Sequence, residues 1–287
     1  MSQIGFVFVR QAGAPRYEAF FNEILAGLED ALATTASTVI VQGVEDAAEE
    51  MQVYRHWHGA GAADAVVLKD LGLSDDRIEQ LQGLGMAFAA LADVTQTGDF
   101  SAVRIDNGQA MRDSLAYLVG LGHRRIARVS GPTDLTHTRI RTEVFHAEAR
   151  AAGLDGRVLT GDYSPTSGEQ ATRELLTSAR PPSAIVYDND LMALGGLRVA
   201  HELTVAVPDE VSMLAWDDSV GCQLASPALT ALNHDVHEMG VQLGHALLAL
   251  LSTGETQSAV ASQPVIVERG TTGSTTRRAT ARARRSP

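Results

Sequence analysis

The sequence contains a single cysteine, Cys222, which excludes an intramolecular disulfide and favours a reducing compartment. Long apolar runs are also lacking, and no stretch approaches the ~20 apolar residues that a membrane-spanning helix needs. The apolar run near the N-terminus covers only residues 4–9 and follows no basic segment, so it is typical of a first strand and not of a signal peptide. These absences predict a cytoplasmic globular protein with no membrane partner.

Positive charge is scarce as well, because 23 basic residues stand against 35 acidic ones and the formal net charge is −12. This balance argues against a protein body that coats nucleic acid. The exception is the segment 274–287, which has five arginines and no acid. We expect this Arg-rich tail to be disordered and solvated, with a nucleic-acid-binding arm as the alternative.

The usual motifs of phosphate, dinucleotide and esterase sites are missing. No Gly-Lys pair occurs, which excludes a Walker-type phosphate loop, and neither G-x-G-x-x-G nor G-x-S-x-G is present. His56 and His58 form a close pair, but they lie two residues apart on a predicted helix and therefore do not share a face. We expect no cofactor, no metal site and no catalytic residues.

Short apolar runs alternate with longer amphipathic segments from residue 4 to residue 268. Such alternation predicts an α/β fold with parallel sheets that are covered by helices on both faces. One series of strands begins at residue 4 and another at residue 125, so we expect two doubly wound lobes. A barrel is the alternative, but eight regular units are not visible and residues 229–268 depart from the rhythm.

Two carboxylates, Asp217 and Asp218, directly follow the run 211–216, which we interpret as a buried strand. Ligands of open parallel sheets bind beyond the carboxyl ends of the strands. Because successive residues leaving a strand point in different directions, we expect one acid to face a ligand and the other to cap the short helix that begins near Ser219. The alternative is that both acids only cap and solvate a loop.

Polar residues follow other predicted strands in a similar way. After the run 183–187 we expect Asp190 to be the N-cap of a helix, which leaves the Asn189 amide to face the ligand; an ordinary turn is the alternative. At the start of another predicted helix, Arg139 and Arg141 oppose the helix dipole and cannot share a face. We expect one of them to reach the ligand and the other an acid or a neighbouring loop, unless both lie on the surface.

Taken together, several segments resemble the effector-binding core of the LacI/GalR family of bacterial transcriptional regulators. The matching segments are FFNEILAGLEDAL (20–32), RIDNGQAMRDSLAYLVGLGHRRIARVSGP (104–132), GDYSPTSGEQATRELL (161–176), SAIVYDNDLMALGGLRVAHEL (183–203), VPDEVSMLAWDDS (207–219) and SPALTALNHDVHEMGVQLGHALLALL (226–251). Their order and spacing agree with the family from Ile4 to about Thr272.

This resemblance implies a type I periplasmic-binding-protein-like fold, in which two lobes joined by three crossings hold a small ligand between them. Residues 1–129 with 235–263 would form the N-terminal lobe, and residues 130–234 with 264–273 the C-terminal lobe. The ligand-binding residues that the resemblance implies are Phe21, His137, Arg141, Tyr163, Asn189, Asp217 and His234. In these roles the aromatic rings would cover apolar faces of the ligand, while Asp, Asn and Arg would bind its polar edges.

The sequence also departs from the family pattern. In the first loop, Glu18-Ala19 replaces the usual Asn-Pro, and Arg10 and Arg16 would favour an acidic or phosphorylated ligand if they face it; surface placement is the alternative. Family members usually begin with a helix-turn-helix headpiece that reads DNA. The sequence starts at the first core strand, so we expect that the headpiece was left out of this chain, with a free-standing sensor as the alternative.

The predicted function is therefore that of the effector-sensing and dimerising core of a LacI-type regulator. Its expected partners are a carbohydrate-like effector, a second copy of the chain, and operator DNA through the headpiece. A solute-binding receptor of a sugar transporter is the alternative. We do not expect an enzyme, because glycosidase carboxylates must flank a bond across ~5–9 Å, which the adjacent Asp217 and Asp218 rarely achieve.

Overall fold

A computed structural model describes residues 2–9 and 19–275 of the chain. The first loop with Arg10 and Arg16, and the tail from residue 276 onward, lie outside the described residues. The strands are β1 (Gln3–Val9), β2 (Thr38–Val44), β3 (Ala65–Leu68), β4 (Ala87–Asp93), β5 (Ser101–Ile105), β6 (Arg125–Ser130), β7 (Asp155–Thr160), β8 (Ala184–Tyr187), β9 (Ser212–Ala215), β10 (Thr230–Asn233), β11 (Ser258–Val260) and β12 (Val265–Val267).

Helices connect these strands along the chain. They are α1 (Ala19–Leu32), α2 (Ala47–Ala60), α3 (Asp76–Leu84), α4 (Asn107–Gly120), α5 (Thr136–Ala151), α6 (Pro165–Thr177), α7 (Asp190–Glu202), α8 (Val220–Leu224) and α9 (Val236–Thr253). Among the described residues, no helix is both long enough and apolar enough to cross a membrane.

The chain forms two compact units, each built on one sheet. The first unit contains the residues up to Asp106 together with Asp235–Ser262, and its sheet has the order β11-β5-β4-β3-β1-β2 with parallel neighbours throughout. The second unit contains Asn107–His234 and the residues from Gln263 onward. Its sheet has the order β12-β10-β9-β8-β6-β7, in which only the β10–β12 pair is antiparallel.

The central strands explain why these sheets need helices on both faces. All four residues of β3, β8 and β9 are buried, so each strand presents apolar groups to both sides of its sheet. Parallel strands with this pattern are stable only when helices cover both faces. The predicted α/β fold with two doubly wound lobes is confirmed.

The boundaries of the units differ from the predicted ones in three places, of which the one at Gln263 is a shift of a single residue. The first boundary lies after Asp106 and not after residue 129, since β6 pairs with β7 and β8 and since apolar residues of α4 pack in one core with Phe145 and Trp216. At the other end the second unit extends beyond residue 273, because the backbone N–H of Thr275 donates to the carbonyl of Leu121 at 3.0 Å. Sequence alternation locates the elements, but it does not reveal which core an element joins.

Strand β11 was not predicted. It has three residues, none of them buried, and it pairs with β5 in parallel. Its sequence carries neither an apolar run nor an alternating pattern of useful length. The segment is extended because its backbone pairs with the edge strand β5.

Helices α1 and α9 of the first unit pack so closely that glycine is required at the contact. A Cβ on Gly27 would lie 2.0 Å from the carbonyl oxygen of His237, and one on Gly240 would lie 2.2 Å from that of Ile24. Both obstacles are backbone atoms, so a side chain at either position would have to push the two helices apart.

We therefore expect Gly27→Ala to lower the free energy of unfolding by ~1–3 kcal/mol, the usual cost of overpacking. The matched control is Gly59→Ala in α2, where nothing lies within 4 Å of an added Cβ. Alanine should stabilise that helix by roughly 0.5–1 kcal/mol. Denaturant unfolding followed by circular dichroism compares the two variants, and equal stabilities would contradict the close helix contact.

Candidate functional site

The candidate site of the second unit lies where three neighbouring strands end. Strands β6, β8 and β9 are adjacent in the sheet, and their carboxyl ends lead into Gly131, Asp188-Asn189 and Asp217-Asp218. Helix α5 begins shortly after β6 and supplies further side chains to the same region. This edge of the sheet is where ligands of parallel α/β structures bind.

Arg141 of α5 is the centre of this region. Its side chain is only 10% exposed, and its guanidinium lies 3.8 Å from the centroid of the Trp216 ring. Nε donates to Oδ1 of Asn107 at 2.9 Å, and Nη1 donates to the backbone carbonyl of Asp188 at 3.4 Å. Burial lowers the pKa of Arg141, while the carboxylates of Asp188 and Asp217 act in the opposite direction. Arg139, by contrast, is exposed and pairs with Glu143, so Arg141 is the arginine that turns inward.

Tyr163 and His137 form an aromatic pair beside Arg141. The hydroxyl of Tyr163 lies 2.7 Å from Nε2 of His137 and 3.1 Å from Oγ1 of Thr138, and the two rings stack with an interplanar angle of 27°. Tyr163 has a φ of 69°, which is strained for a residue with a side chain. Its ring also occupies the space above Gly131, where a Cβ would approach it to 2.1 Å. Backbone strain of this kind concentrates at functional sites.

Asn189, and not Asp190, is the N-cap of α7. Its Oδ1 accepts from the backbone N–H of Met192 at 2.9 Å, and its Nδ2 donates to the carbonyl of Tyr163 at 2.9 Å. The prediction that Asp190 caps this helix is wrong, because Asn189 has the extended backbone of a cap residue. The amide therefore fixes Tyr163 and the start of α7 from within the site.

The backbone angles of Asn189 are φ −151° and ψ 172°. Both angles are extended, whereas Asp190 is already helical, and this difference decides which residue is the cap.

The prediction that one of the two adjacent acids caps α8 is wrong, because Asp218 is engaged elsewhere. Arg269 donates from Nη2 to Oδ2 of Asp218 at 2.8 Å, and Asn233 donates to the same oxygen at 3.1 Å. Burial alone would raise the pKa of Asp218, but these partners outweigh it and hold the pKa below its usual value. Ser219 caps α8 instead, by accepting from the backbone N–H of Cys222. Asp217 is half-buried and close enough to Arg141 to act on its charge.

The imidazole ring of His234 lies beside the indole ring of Trp216. The two ring centroids are 6.1 Å apart, with an interplanar angle of 32°. Both ring nitrogens are buried, and neither has a hydrogen-bond partner of ordinary geometry among the described residues. Burial and the positive charge of Arg141 lower the pKa of His234 to about 3. The imidazole is therefore neutral at physiological pH.

Phe21, the remaining predicted site residue, belongs to the first unit. Its ring makes edge contacts with Phe20 and Phe6, at centroid distances of 5.4 Å and 6.2 Å. The ammonium of Lys69, the only lysine of the sequence, lies 4.1 Å from the centroid of the Phe21 ring. The other six predicted residues all lie in the second unit.

Sequence reasoning missed four residues that hold this cluster together: Asn107, Arg128, Asp188 and Trp216. Trp216 was interpreted only as part of a buried strand. Arg128 did carry a signal, because a charged residue in the middle of the apolar strand β6 requires a buried partner. That partner is Asp188, with Nε of Arg128 donating to Oδ1 at 2.7 Å.

Comparisons with known proteins identify the family to which this fold belongs. The family model of a periplasmic binding protein-like domain matches residues 115–272, which is more than half of the chain. The crystal structure of a LacI family transcriptional regulator from Bifidobacterium animalis subsp. lactis has 32% sequence identity and a TM-score of 0.85, covering 95% of this chain and 98% of that one.

The chain belongs to the LacI family. Within this family, the ribose operon repressor of Escherichia coli strain K12 is 33% identical over 162 residues, which are 54% of this chain and 48% of the repressor. The complex of the transcriptional regulator CelR with cellobiose has 26% identity and a TM-score of 0.84, covering 94% of this chain and 84% of that one. The chain thus spans about half the length of the curated LacI-family relative that it matches.

The state of His234 makes the stability of this LacI-family core dependent on pH. In the unfolded chain His234 takes up a proton near pH ~6.5, whereas in the folded chain it does so only at about 3. The unfolded state therefore binds more protons between these values, and the folded state loses stability as the pH falls from ~6.5 towards 3.

We expect His234→Gln to remove this part of the pH dependence. The measurement is the free energy of unfolding at a series of pH values from about 7 to about 4, a window that begins just above the ordinary histidine pKa. His201→Gln, at an exposed position of α7, is the matched control and should retain the slope of the parent. An unchanged slope in His234→Gln would mean that His234 is not buried in its neutral form.

Proposed function

We propose that this chain is the effector-sensing core of a LacI-type transcriptional regulator and that it binds a sugar or sugar derivative. The observation that carries the proposal is the convergence of Arg141, Asp217, Tyr163, His137 and Trp216 at one edge of the second sheet. Planar rings beside hydrogen-bonding groups suit a ligand with apolar ring faces and hydroxyl edges. The cellobiose complex of CelR supports the same ligand class.

Each side chain has a role that follows from its chemistry. Arg141 offers guanidinium N–H donors, and Asp217 offers carboxylate oxygens that accept from ligand hydroxyls. Tyr163 and His137 provide flat surfaces, and Trp216 supports the guanidinium of Arg141. Asn189 acts through Tyr163, which it holds in place. The participation of His234 and of Phe21 stays a prediction.

A regulatory role is favoured over an enzymatic one. Glycoside cleavage needs two carboxylates that flank the bond at ~5–9 Å from each other, and Asp218 is already engaged by Arg269 and Asn233. We infer that ligand binding is coupled to operator affinity, and that DNA is contacted through a helix-turn-helix headpiece. Such a regulator works in the cytoplasm.

We also propose that the core acts as a homodimer through the surface of α7 and α8. Val220 and Leu224 of α8 are 67% and 80% exposed, which is unusual for large apolar residues. They adjoin a groove lined by Leu194 and Leu197, with Arg198 and Glu202 among its charged residues. Arg198 and Glu202 pair with each other at 2.7 Å, so a second copy related by a two-fold axis would meet a groove whose charges are balanced.

The ligand proposal is tested by thermal unfolding in the presence of cellobiose and of ribose. A bound sugar should raise the melting temperature, since saturation at ~100 times Kd adds ~2.7 kcal/mol of stability. Asp217→Ala and Arg141→Ala should abolish the shift, because they remove the acceptor and the donor for ligand hydroxyls. Asp155→Ala, at an exposed acid of β7, is the matched control and should keep it. Equal shifts in all variants would show that the ligand binds elsewhere.

The dimer proposal is tested with Leu224→Glu. A buried carboxylate in an apolar interface is costly, so this variant should be monomeric in analytical ultracentrifugation at concentrations where the parent is dimeric. Leu73→Glu changes another exposed leucine, in the first unit, and should leave the dimer intact. A parent that is monomeric, or a Leu224→Glu variant that still dimerises, would refute this surface.

A further inference from the structure

A buried ion pair lies beneath the candidate site of the second unit. Arg128 of β6 and Asp188 after β8 both have side chains that are 0% exposed. Arg128 donates from Nε to Oδ1 of Asp188 at 2.7 Å and from Nη2 to Oδ2 of the same residue. The backbone N–H of Gly131 also donates to Oδ2, at 3.2 Å. The carboxylate is therefore held by three hydrogen bonds.

Stability alone does not account for such a pair. Taking two charges out of water is costly, and an apolar pair of similar volume is often as stable or more stable. We therefore expect the pair to serve the groups that it contacts, which are helix α5 and Arg141.

Arg128 also ties down the start of α5. Its Nη1 donates to Oγ1 of Thr142 at 2.7 Å, and its Nη2 donates to the carbonyl of Thr138 at 3.3 Å. Helix α5 needs this support, because its N-cap, Leu135, makes no side-chain cap hydrogen bond and its first turn has no acid. Arg139 and Arg141 near this end further oppose the helix dipole.

Asp188 connects the same pair to Arg141. The carbonyl of Asp188 accepts from Nη1 of Arg141 at 3.4 Å, and its Oδ2 lies 3.9 Å from that nitrogen. Burial would raise the pKa of Asp188, but the charges of Arg128 and Arg141 outweigh burial and keep the carboxyl ionised. The ion pair thus contacts both the helix that carries Arg141 and the guanidinium itself.

We propose that Arg128 and Asp188 are positioning residues that hold Arg141 against Trp216, and that they serve the ligand site rather than the stability of the fold. Arg128 anchors the first turns of α5, and Asp188 is the fixed counter-ion on which the guanidinium of Arg141 rests. The proposal relies on the proposed function only for what Arg141 binds. The position of Arg141 can be tested without any ligand.

Trp216 provides the readout, since the guanidinium of Arg141 lies against its ring. Trp57 is the only other tryptophan of the sequence and lies in the first unit, so spectral differences between second-unit variants report on Trp216. Arg141→Met defines the emission spectrum of Trp216 without the guanidinium. The double variant Arg128→Leu/Asp188→Ala removes both charges of the pair together, so that neither Arg128 nor Asp188 is left buried without the other.

We expect the double variant to fold and to reproduce the emission spectrum of Arg141→Met. Adding Arg141→Met to the double variant should change the spectrum no further. The matched control, Arg180→Leu/Asp155→Ala, removes an exposed ion pair of the same unit and should retain the spectrum of the parent. A double variant with the parent spectrum, which shifts only when Arg141→Met is added, would overturn the proposal.

A second variant decides the matter if the double variant does not fold. Thr142→Val nearly preserves the shape of the side chain and removes the hydrogen bond from Nη1 of Arg128 to α5, together with the bond that the Thr142 hydroxyl donates to the carbonyl of Thr138 within the helix. Its spectrum should move part of the way towards that of Arg141→Met. A spectrum identical to that of the parent would overturn the role of Arg128. Because neither measurement uses a sugar, a failure here is distinct from a failure of the ligand assay.

Discussion

The second unit depends on the placement of one buried guanidinium, that of Arg141. A buried charge is tolerated only when hydrogen bonds and an opposite charge replace the water that it loses. Asn107 and the carbonyl of Asp188 supply the hydrogen bonds, the Asp188 carboxylate supplies the charge, and the Trp216 ring supplies a flat surface for the cation. These partners come from separate elements of the unit, so correct folding of the whole unit is needed to assemble them.

The first unit contains a comparable arrangement at the carboxyl end of β3. Arg77 donates to both carboxylate oxygens of Glu50, at 3.0 Å and 2.9 Å, and to the carbonyls of Lys69 and Asp70, at 3.0 Å and 3.1 Å. It thereby supports a loop in which Asp70 has a φ of 51°. In each unit an arginine that is wholly or largely buried pairs with an acid and secures the backbone that follows a central strand. The parallel sheet directs the chain to this edge, and the ion pairs hold it in a definite conformation.

Much of this fold is predictable from sequence, because strands such as β3 and β8 are short apolar runs bounded by helical patterns. Membership of a core is not, since the position of α4 in the second unit depends on contacts with residues far along the chain. The residues at the site follow the same division. Asp217 and Arg141 are noticeable from their local placement, whereas the pairing of Arg128 with Asp188 joins residues that are 60 positions apart. The choice of Asn189 over Asp190 as a cap depends on backbone angles, because both residue types are good caps.

The most direct test of this account is the NMR signal of the Arg141 Nε–H group, assigned by its loss in Arg141→Lys. A group that is buried and donates to Asn107 should give a resolved signal that exchanges slowly with water, and the signal should shift when a sugar binds. The exposed Arg139 provides the reference for rapid exchange. If the Arg141 signal exchanges as fast as that of Arg139 and does not respond to any bound sugar, the guanidinium is not the fixed centre of a ligand site.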